Sequence, residues 1–518
     1  MRPFHQRFCI VAVVLILSTF ATARADQPAA PRVNVILWFD TEDYLSPSDD
    51  DSAKRLAELL TARKIRATFK IVGEKARVLE LRHRADVIDA LNRHDIGFHG
   101  NFHSVHPTVS EYEANAGLLD GISEFVRREG AGAADVRRIF GRNSLACYGQ
   151  PGSSWAAQAI AALPLCGVTN DGIPCYLDSG DHVGFGGIPF WYAGALVVYK
   201  MRPNETRMDL FAPNGLEQGE QALAAIAQRL RSTGGGLISI YYHPCEWVTS
   251  EFWDGANFSH GANPPREEWK LPKQRRADET ENAFHRFEQY IDFIRAQPNV
   301  QFVTASQLPA LYPDRVRTEP VSSSEVAALV QAMRPTDGLT LDDRTIEGKI
   351  FSPADQFDLL TLATARAMEA KADSPADAIP IDSLLGPDSP PPTIPPATDA
   401  ARVAWPAFAA AVLDVRDFLQ TNHRIPSRVF IGATAVSPAD FLVAMTEAQL
   451  AHLKTGRFPA TVLLGRNVRL ITEDRVAQDT DRLFGGWIIH APGFRAPHIM
   501  EIARLQAWTL KPATASAK

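Results

Sequence analysis

One run of seven residues, Val33-Asn34-Val35-Ile36-Leu37-Trp38-Phe39, limits the fold more than any other stretch of the chain. A strand with one wet face alternates apolar and polar residues, and this run barely does. It therefore needs cover on both faces, as strands of a parallel sheet have. It ends in Asp40-Thr41-Glu42-Asp43. In α/β folds, ligands gather at the C-terminal ends of the strands. The carboxylates there read as a metal ligand with a base beside it. The competing reading is a solvated acidic turn, to which Asp49-Asp50-Asp51 nearby lends weight.

Helix and strand patterns alternate after this run. Helices are predicted over residues 51–62, 85–93, 109–128, 215–231 and 283–296, and strands over 66–72, 145–147, 166–169, 195–199, 237–242 and 300–304. In the 109–128 helix, Ala114, Leu118, Ile122 and Phe125 recur at helical spacing. Repeated βα units of this kind predict a parallel sheet or barrel with outer helices.

Three further motifs close strands. The stretch Gly97-Phe98-His99-Gly100-Asn101-Phe102-His103 offers two imidazoles from a glycine-broken loop, with His106 as a further candidate. Two imidazoles from one tight turn suit Zn²⁺. Gly149-Gln150-Pro151-Gly152 leads towards Trp155 and a helix starting near residue 154, and its backbone N–H groups are candidates to face an oxyanion. Tyr242-His243-Pro244 places an imidazole at a strand's rim. Taken singly, each motif reads equally well as an ordinary loop.

The 518 residues exceed one ordinary domain. A formal net charge of −7 argues against a nucleic-acid partner. Arg2 and Arg7, the apolar residues 9–20 and Ala23-Arg24-Ala25 have the form of a secretory leader, residues 1–25. This places the mature chain in a secreted or periplasmic setting, with no integral membrane segment after leader removal. Cys147, Cys166, Cys175 and Cys245 then remain, and no Cys-x-x-Cys pair marks a four-cysteine zinc site. Cys166 and Cys175 bracket Asn170-Asp171. The expected bridges are Cys166–Cys175 and Cys147–Cys245.

After residue 312 the character changes. Residues 341–365 and 425–448 resemble each other, each reaching Ser-Pro-Ala-Asp just before a helix: Ser352-Pro353 in one, Ser437-Pro438 in the other. Serine before proline is a helix start, N-cap then first turn. Residues 374–398, rich in Pro and Asp, read as a linker between two modules, about 325–370 and 403–450.

The motifs of residues 33–305 resemble, in order, those of the NodB-homology polysaccharide deacetylases, carbohydrate esterase family 4. Phe39-Asp40-Thr41-Glu42-Asp43 is similar to the family's aspartate-rich first motif. Gly97-Phe98-His99 with His103 is similar to its second, Gly149-Gln150-Pro151-Gly152 to its third, Asn170-Asp171 to its fourth, and Ile240-Tyr241-Tyr242-His243-Pro244 to its fifth. The resemblance implies a distorted (β/α) barrel over residues 26–315. A smaller, mainly helical accessory domain over 316–518 follows it. The second module resembles pseudomurein-binding-type repeats, which implies a hold on cell-wall glycan.

The resemblance further implies a divalent metal, Zn²⁺ foremost, held by His99, His103 and either Glu42 or Asp43, with an open position for water. Asp40 is then the base, His243 the acid and Asp171 the carboxylate that keeps His243 charged. Gln150, Pro151, Gly152 and Trp155 form the oxyanion and substrate loop. Trp191, Tyr192, Tyr242, Trp247 and Trp253 are candidate faces for sugar stacking. Gln150 stands where the family has an arginine that orients the base, which implies either weakened activity or another cation, such as Arg142, in its place. The implied function is a secreted N-deacetylase of a GlcNAc-containing polysaccharide, peptidoglycan or exopolysaccharide, acting by attack of a metal-bound water. The alternatives are a NodB-fold glycan-binding protein with impaired catalysis, which Gln150 favours, and a glycoside hydrolase pairing Asp40 with a second carboxylate.

Overall fold

The computed structural model describes residues 31–152, 155–168, 175–177, 183–199, 205–334, 339–369, 378–391 and 402–514. The leader and Asp171 lie outside them, as do the side chains of residues 175–177. The first strand, β1 (Val33–Thr41), is buried along its whole length. One of its edges pairs in parallel with Gly236–Tyr242, from Val33 to Phe39. Its other edge is shared. Trp38–Thr41 pairs with β2 (Thr68–Ile71), and Val33–Ile36 pairs with Val300–Val303. β2 pairs in turn with β3 (Asp95–Phe98).

All five strands run parallel, so Asp40, His99 and His243 emerge at one end of the sheet. Single bridges, Phe98–Tyr148 and Leu145–Val168 on one side and Glu205–Ser239 on the other, carry the pairing outward. This is mixed α/β architecture on a parallel sheet. The described residues do not close it into a barrel.

Helices α1 (Pro47–Ala62), α2 (Gly73–Leu81) and α3 (Ala85–Leu91) cover the first strands. The predicted 51–62 helix starts four residues early because Pro47, after Ser46, fits the first helical position. The predicted 109–128 helix is two pieces, Val109–Tyr112 and Leu118–Ile139, broken before Gly117, the N-cap of the second. β3 lies unusually close to its neighbour: a Cβ at Gly97 would meet Cys147 Sγ at 2.4 Å. The expected disulfides are not formed. Cys166 and Cys245 are free, buried thiols, so neither Cys166–Cys175 nor Cys147–Cys245 is closed.

A second core begins at Val316. The two similar segments take the same form: a helix (Ser323–Ala332; Trp405–Asn422), a two-stranded hairpin (Arg344–Ile346 with Lys349–Phe351; Val429–Ile431 with Thr434–Val436), then a second helix (Pro353–Glu369; Pro438–Thr455). Ser352 and Ser437 each accept the N–H of the aspartate three residues on, at 3.2 and 3.0 Å. The expected linker is a packed segment where it is described. Ile379, Ile381 and Leu384 are buried in the second core, and Ile379 bridges Val321.

The chain then returns to the first core. Val476, Phe484, Ile499, Met500, Ala503 and Leu510 are buried there, and Lys511–Pro512 adds an antiparallel strand to Phe190–Tyr192. Lys511 Nζ lies 2.7 Å from both Asp314 and Asp355, joining the two cores by buried charge. The region from 316 onward is therefore not a free-standing appendage.

Candidate metal and active centre

At the C-terminal end of the sheet, Glu42, His99 and His103 bring ligand atoms within 4.8 Å of one another, all buried. Glu42 Oε2 lies 2.9 Å from His103 Nε2 and 3.4 Å from His99 Nε2. Both imidazoles are turned so that Nδ1 is engaged behind them. His99 Nδ1 donates to the Gly149 carbonyl at 2.6 Å. His103 Nδ1 lies 2.5 Å from Ser104 Oγ, which donates to Asp254 at 3.2 Å. This leaves Nε2 of each ring as the lone-pair atom facing Glu42, the arrangement that a hydrogen bond at Nδ1 imposes on metal-binding histidines. His103 is held at φ +61, and such left-handed non-glycine backbone concentrates at functional sites. One carboxylate and two imidazoles are a donor set that fits Zn²⁺, with room for a further ligand.

Burial would push the Glu42 carboxyl up, but the charges of His103 and His243 outweigh it and hold Glu42 well below the usual carboxylate range. Burial pushes His99 down, favouring the neutral ring that a metal needs.

The carboxylates of Glu42 and Asp43 are placed differently. Asp43 Oδ1 accepts the N–H groups of Leu45 and Ser46, at 2.8 and 3.0 Å, and so ties the loop into α1. Glu42 is the carboxylate whose oxygen lies against both imidazoles. His106 is also outside the cluster. Its Nδ1 lies 2.7 Å from Glu111 Oε2.

Asp40 and His243 complete the centre. Asp40 Oδ2 lies 3.7 Å from His243 Nε2 and 3.8 Å from His99 Nε2. Its other oxygen is 2.6 Å from Lys70 Nζ, with both side chains fully buried. Lys70, from β2, is thus the cation on Asp40. Arg142 lies elsewhere, on the carbonyls of Asn92 and His94. His243 Nδ1 lies 2.6 Å from Glu246 Oε1. Burial alone would lower the His243 pKa, but Glu42 and Glu246 raise it. Glu246 is thus the carboxylate against His243 among the described residues, and Arg207 pairs with it from behind. His243 is the most exposed of the five, with 14% of its side chain open, so access is from its side.

The loop at 149–152 differs from expectation. The Gly149 N–H is committed to the Phe98 carbonyl at 3.0 Å. Gln150 is buried, Pro151 has no N–H, and Pro151 with His103 and Glu129 lines a cavity of about 240 Å³ beside the cluster. Trp155 is wholly buried against Tyr192. Tyr242, Trp247 and Trp253 are buried too and offer no free face. Four partners were absent from the sequence reading: Lys70, Glu246, Asp254 and Trp487, whose ring centroid lies 5.4 Å from that of His103. Only Glu246 carried a sequence signal, a carboxylate three residues after His243.

No family model matches the sequence, and no curated protein matches it. The chain is similar to solved structures of the carbohydrate esterase 4 polysaccharide deacetylases, over about half its length. One is a Mycobacterium smegmatis protein assigned as a polysaccharide deacetylase, 16% identical over 55% of this chain and 93% of that one, with TM-score 0.35. Another is the family 4 carbohydrate esterase of Streptomyces lividans, 15% identical over 52% and 92%, with TM-score 0.27. PuuE allantoinase is similar as well, 13% identical over 55% and 93%, with TM-score 0.35. A likeness at this level selects no substrate, and the functional reading has to come from the site. Among the described residues, no helix is long and apolar enough to cross a membrane.

Proposed function

We propose that this chain is a metal-dependent hydrolase that removes N-acetyl groups from a GlcNAc-containing polysaccharide outside the cytoplasm. The observation that carries the reading is the convergence of Glu42, His99 and His103, with Asp40 and His243 against the same atoms. A zinc ion held by the three would lower the pKa of a water to about 7 and polarise a carbonyl. Asp40 Oδ2 takes the proton of the water that adds to the acetyl carbon, and Lys70 compensates the charge of that buried carboxylate. His243 Nε2 gives a proton to the nitrogen as the C–N bond breaks, leaving acetate and a free amine. Glu246, 2.6 Å from Nδ1, favours the protonated ring.

The impaired-catalysis alternative drew on Gln150. Lys70 weakens it, because a cation does reach the base. The glycoside-hydrolase alternative needs two separated carboxylates. Asp40 and Glu42 instead converge on His243, at 3.7 and 3.9 Å. Wall-glycan binding by the C-terminal half belongs to the same reading and rests on the resemblance of the second hairpin–helix unit to pseudomurein-binding-type repeats.

The test is acetate release from N-acetylglucosamine oligomers, measured with the metal content of the same samples. Asp40→Asn should keep the metal and lose turnover by about 10²-fold or more. His99→Ala should lose both. Full turnover in Asp40→Asn, or full metal occupancy in His99→Ala, rules out these roles.

A further inference from the structure

The last part of the chain reaches the centre. Trp487 stands edge-on to His103, ring planes at 85°. Its six-membered ring lies over Gly152, where a Cβ would come within 2.8 Å of the indole and where φ is +73. A side chain at 152 would push the indole away, so two segments distant in sequence are fitted to each other. The segment around Trp487 is pinned on both flanks. His260 and Gly261 donate their N–H groups to the Ile488 and Ile489 carbonyls, each at 2.8 Å. His490 packs edge-on against the indole at 5.3 Å, with Nε2 on Thr108 Oγ1 and Nδ1 on the Phe484 carbonyl.

Packing accounts for part of this residue, which lies against the small core of Tyr44, Trp253, Phe258 and Ile489 yet keeps some of its surface open. The tryptophans that fill the interior, Trp38, Trp155, Trp247 and Trp253, are wholly buried, whereas Trp487 is only half-buried. It stands beside a candidate metal ligand, on a clamped segment, next to Ile488, which is 52% exposed. Phe252, 39% exposed, packs edge-on against His243 at 4.9 Å. Each of the two imidazoles thus carries a partly open aromatic ring. A pyranose has an apolar C–H face and a polar rim, and an indole offers a large rigid apolar face at little entropic cost.

We propose that Trp487 is a substrate-positioning residue: its indole is the wall against which the pyranose ring bearing the acetamido group lies. The C-terminal segment then completes the site rather than merely following it. This rests on the deacetylase reading for the identity of the ligand.

The experiment uses the full chain with Trp487→Ala and Trp487→Phe. Steady-state kinetics are measured on an N-acetylglucosamine oligomer, and calorimetric binding of the same oligomer is measured to metal-free protein. Metal content and thermal melting are followed alongside. For Trp487→Ala, KM and the dissociation constant should rise by about tenfold or more, outweighing any fall in kcat, which is the signature of lost binding energy. Trp487→Phe should recover most of the loss. Unchanged binding in Trp487→Ala overturns the proposal. So does faster turnover, which would make the indole a plug, and so does a kcat loss that tracks lost metal or lowered melting. If the wild type releases no acetate yet Trp487→Ala loses oligomer binding, the deacetylase reading fails and the wall stands. If the wild type is active and Trp487→Ala binds as well as it does, the wall fails alone.

Discussion

A buried carboxylate is costly unless a cation compensates it, and Asp40 has its cation in Lys70, from the adjacent strand. The pair is buried on both sides, and Lys70 Nζ stands over the Trp38 ring, 5.4 Å from its centre. Lys70→Met would leave the carboxylate uncompensated. Folding stability should drop by about 3–5 kcal/mol, the usual cost of breaking a buried pair from one side. Acetate release should fall by about 10²-fold or more, since Asp40 would take up a proton instead of accepting one from water. Denaturant unfolding and turnover of the same preparation check both. A variant with wild-type stability and turnover would show that Asp40 does not depend on Lys70. This partner could not be read from the sequence. A lysine in Thr68-Phe69-Lys70-Ile71 looks like the polar phase of a half-exposed strand, and only the pairing of Lys70 with Asp40 across β1 and β2 shows what it faces.

At the scale of elements, the loops that carry the ligands are held by charge knots. Lys75 of α2, fully buried, reaches Asp49 and Asp50 of α1 and the Asp43 carbonyl, each at 2.6 Å. The acidic run that read as a solvated turn is thus the clamp under the Glu42 loop. On the other side, His106 pairs with Glu111, while His490 reaches the same turn through Thr108. The hydrogen bond to Glu111 raises the His106 pKa against the opposing effect of burial. Its stabilising share is therefore whole below the unfolded value, about 6.5, and is lost as pH rises through the folded one. Burial pushes Glu111 up, but His106 and the Thr108 N–H outweigh it and lower its pKa. Its share is present above the unfolded value, about 4.5, and is lost as pH falls through the folded one. The pair is strongest between those values. Between about pH 6 and 8, wild type should lose more melting temperature than Glu111→Gln. Parallel melting curves across that range would remove the pair from the account. The strands of the parallel sheet were readable, because a doubly covered strand such as Val33–Phe39 has no polar phase to mislead; the expected strand at 166–169 was not one, since Leu163–Cys166 is a 3₁₀ turn and, among the described residues, only Val168 bridges Leu145. The break before Gly117 was not readable, because the apolar spacing of Ala114 and Leu118 continues across it.

Over the whole molecule, the chain builds a parallel sheet and a second core, then sends its last segment back across the first. The order of Asp40, His99, His103 and His243 along the sequence was enough to propose a metal centre, because Asp40, His99 and His243 lie at strand ends, His103 follows in the same loop as His99, and parallel strands end together. Which carboxylate turns inward, and that Glu246 stands against His243, depended on side-chain direction and so became visible only in the fold. Nothing in the sequence near Trp487 points to a site, since its relation to His103 is wholly tertiary. The two internal repeats were legible because each keeps its own Ser-Pro helix start. The return of residues 476–513 was not, because it is set by packing against a distant core. The central claim is that Glu42, His99 and His103 hold an ion on which hydrolysis depends. It is tested most directly by acetate release from an N-acetylglucosamine oligomer before chelation, after it, and after zinc is restored. The account predicts release that chelation abolishes and zinc restores; undiminished release from the chelated protein, or none from the zinc-loaded protein, would contradict it.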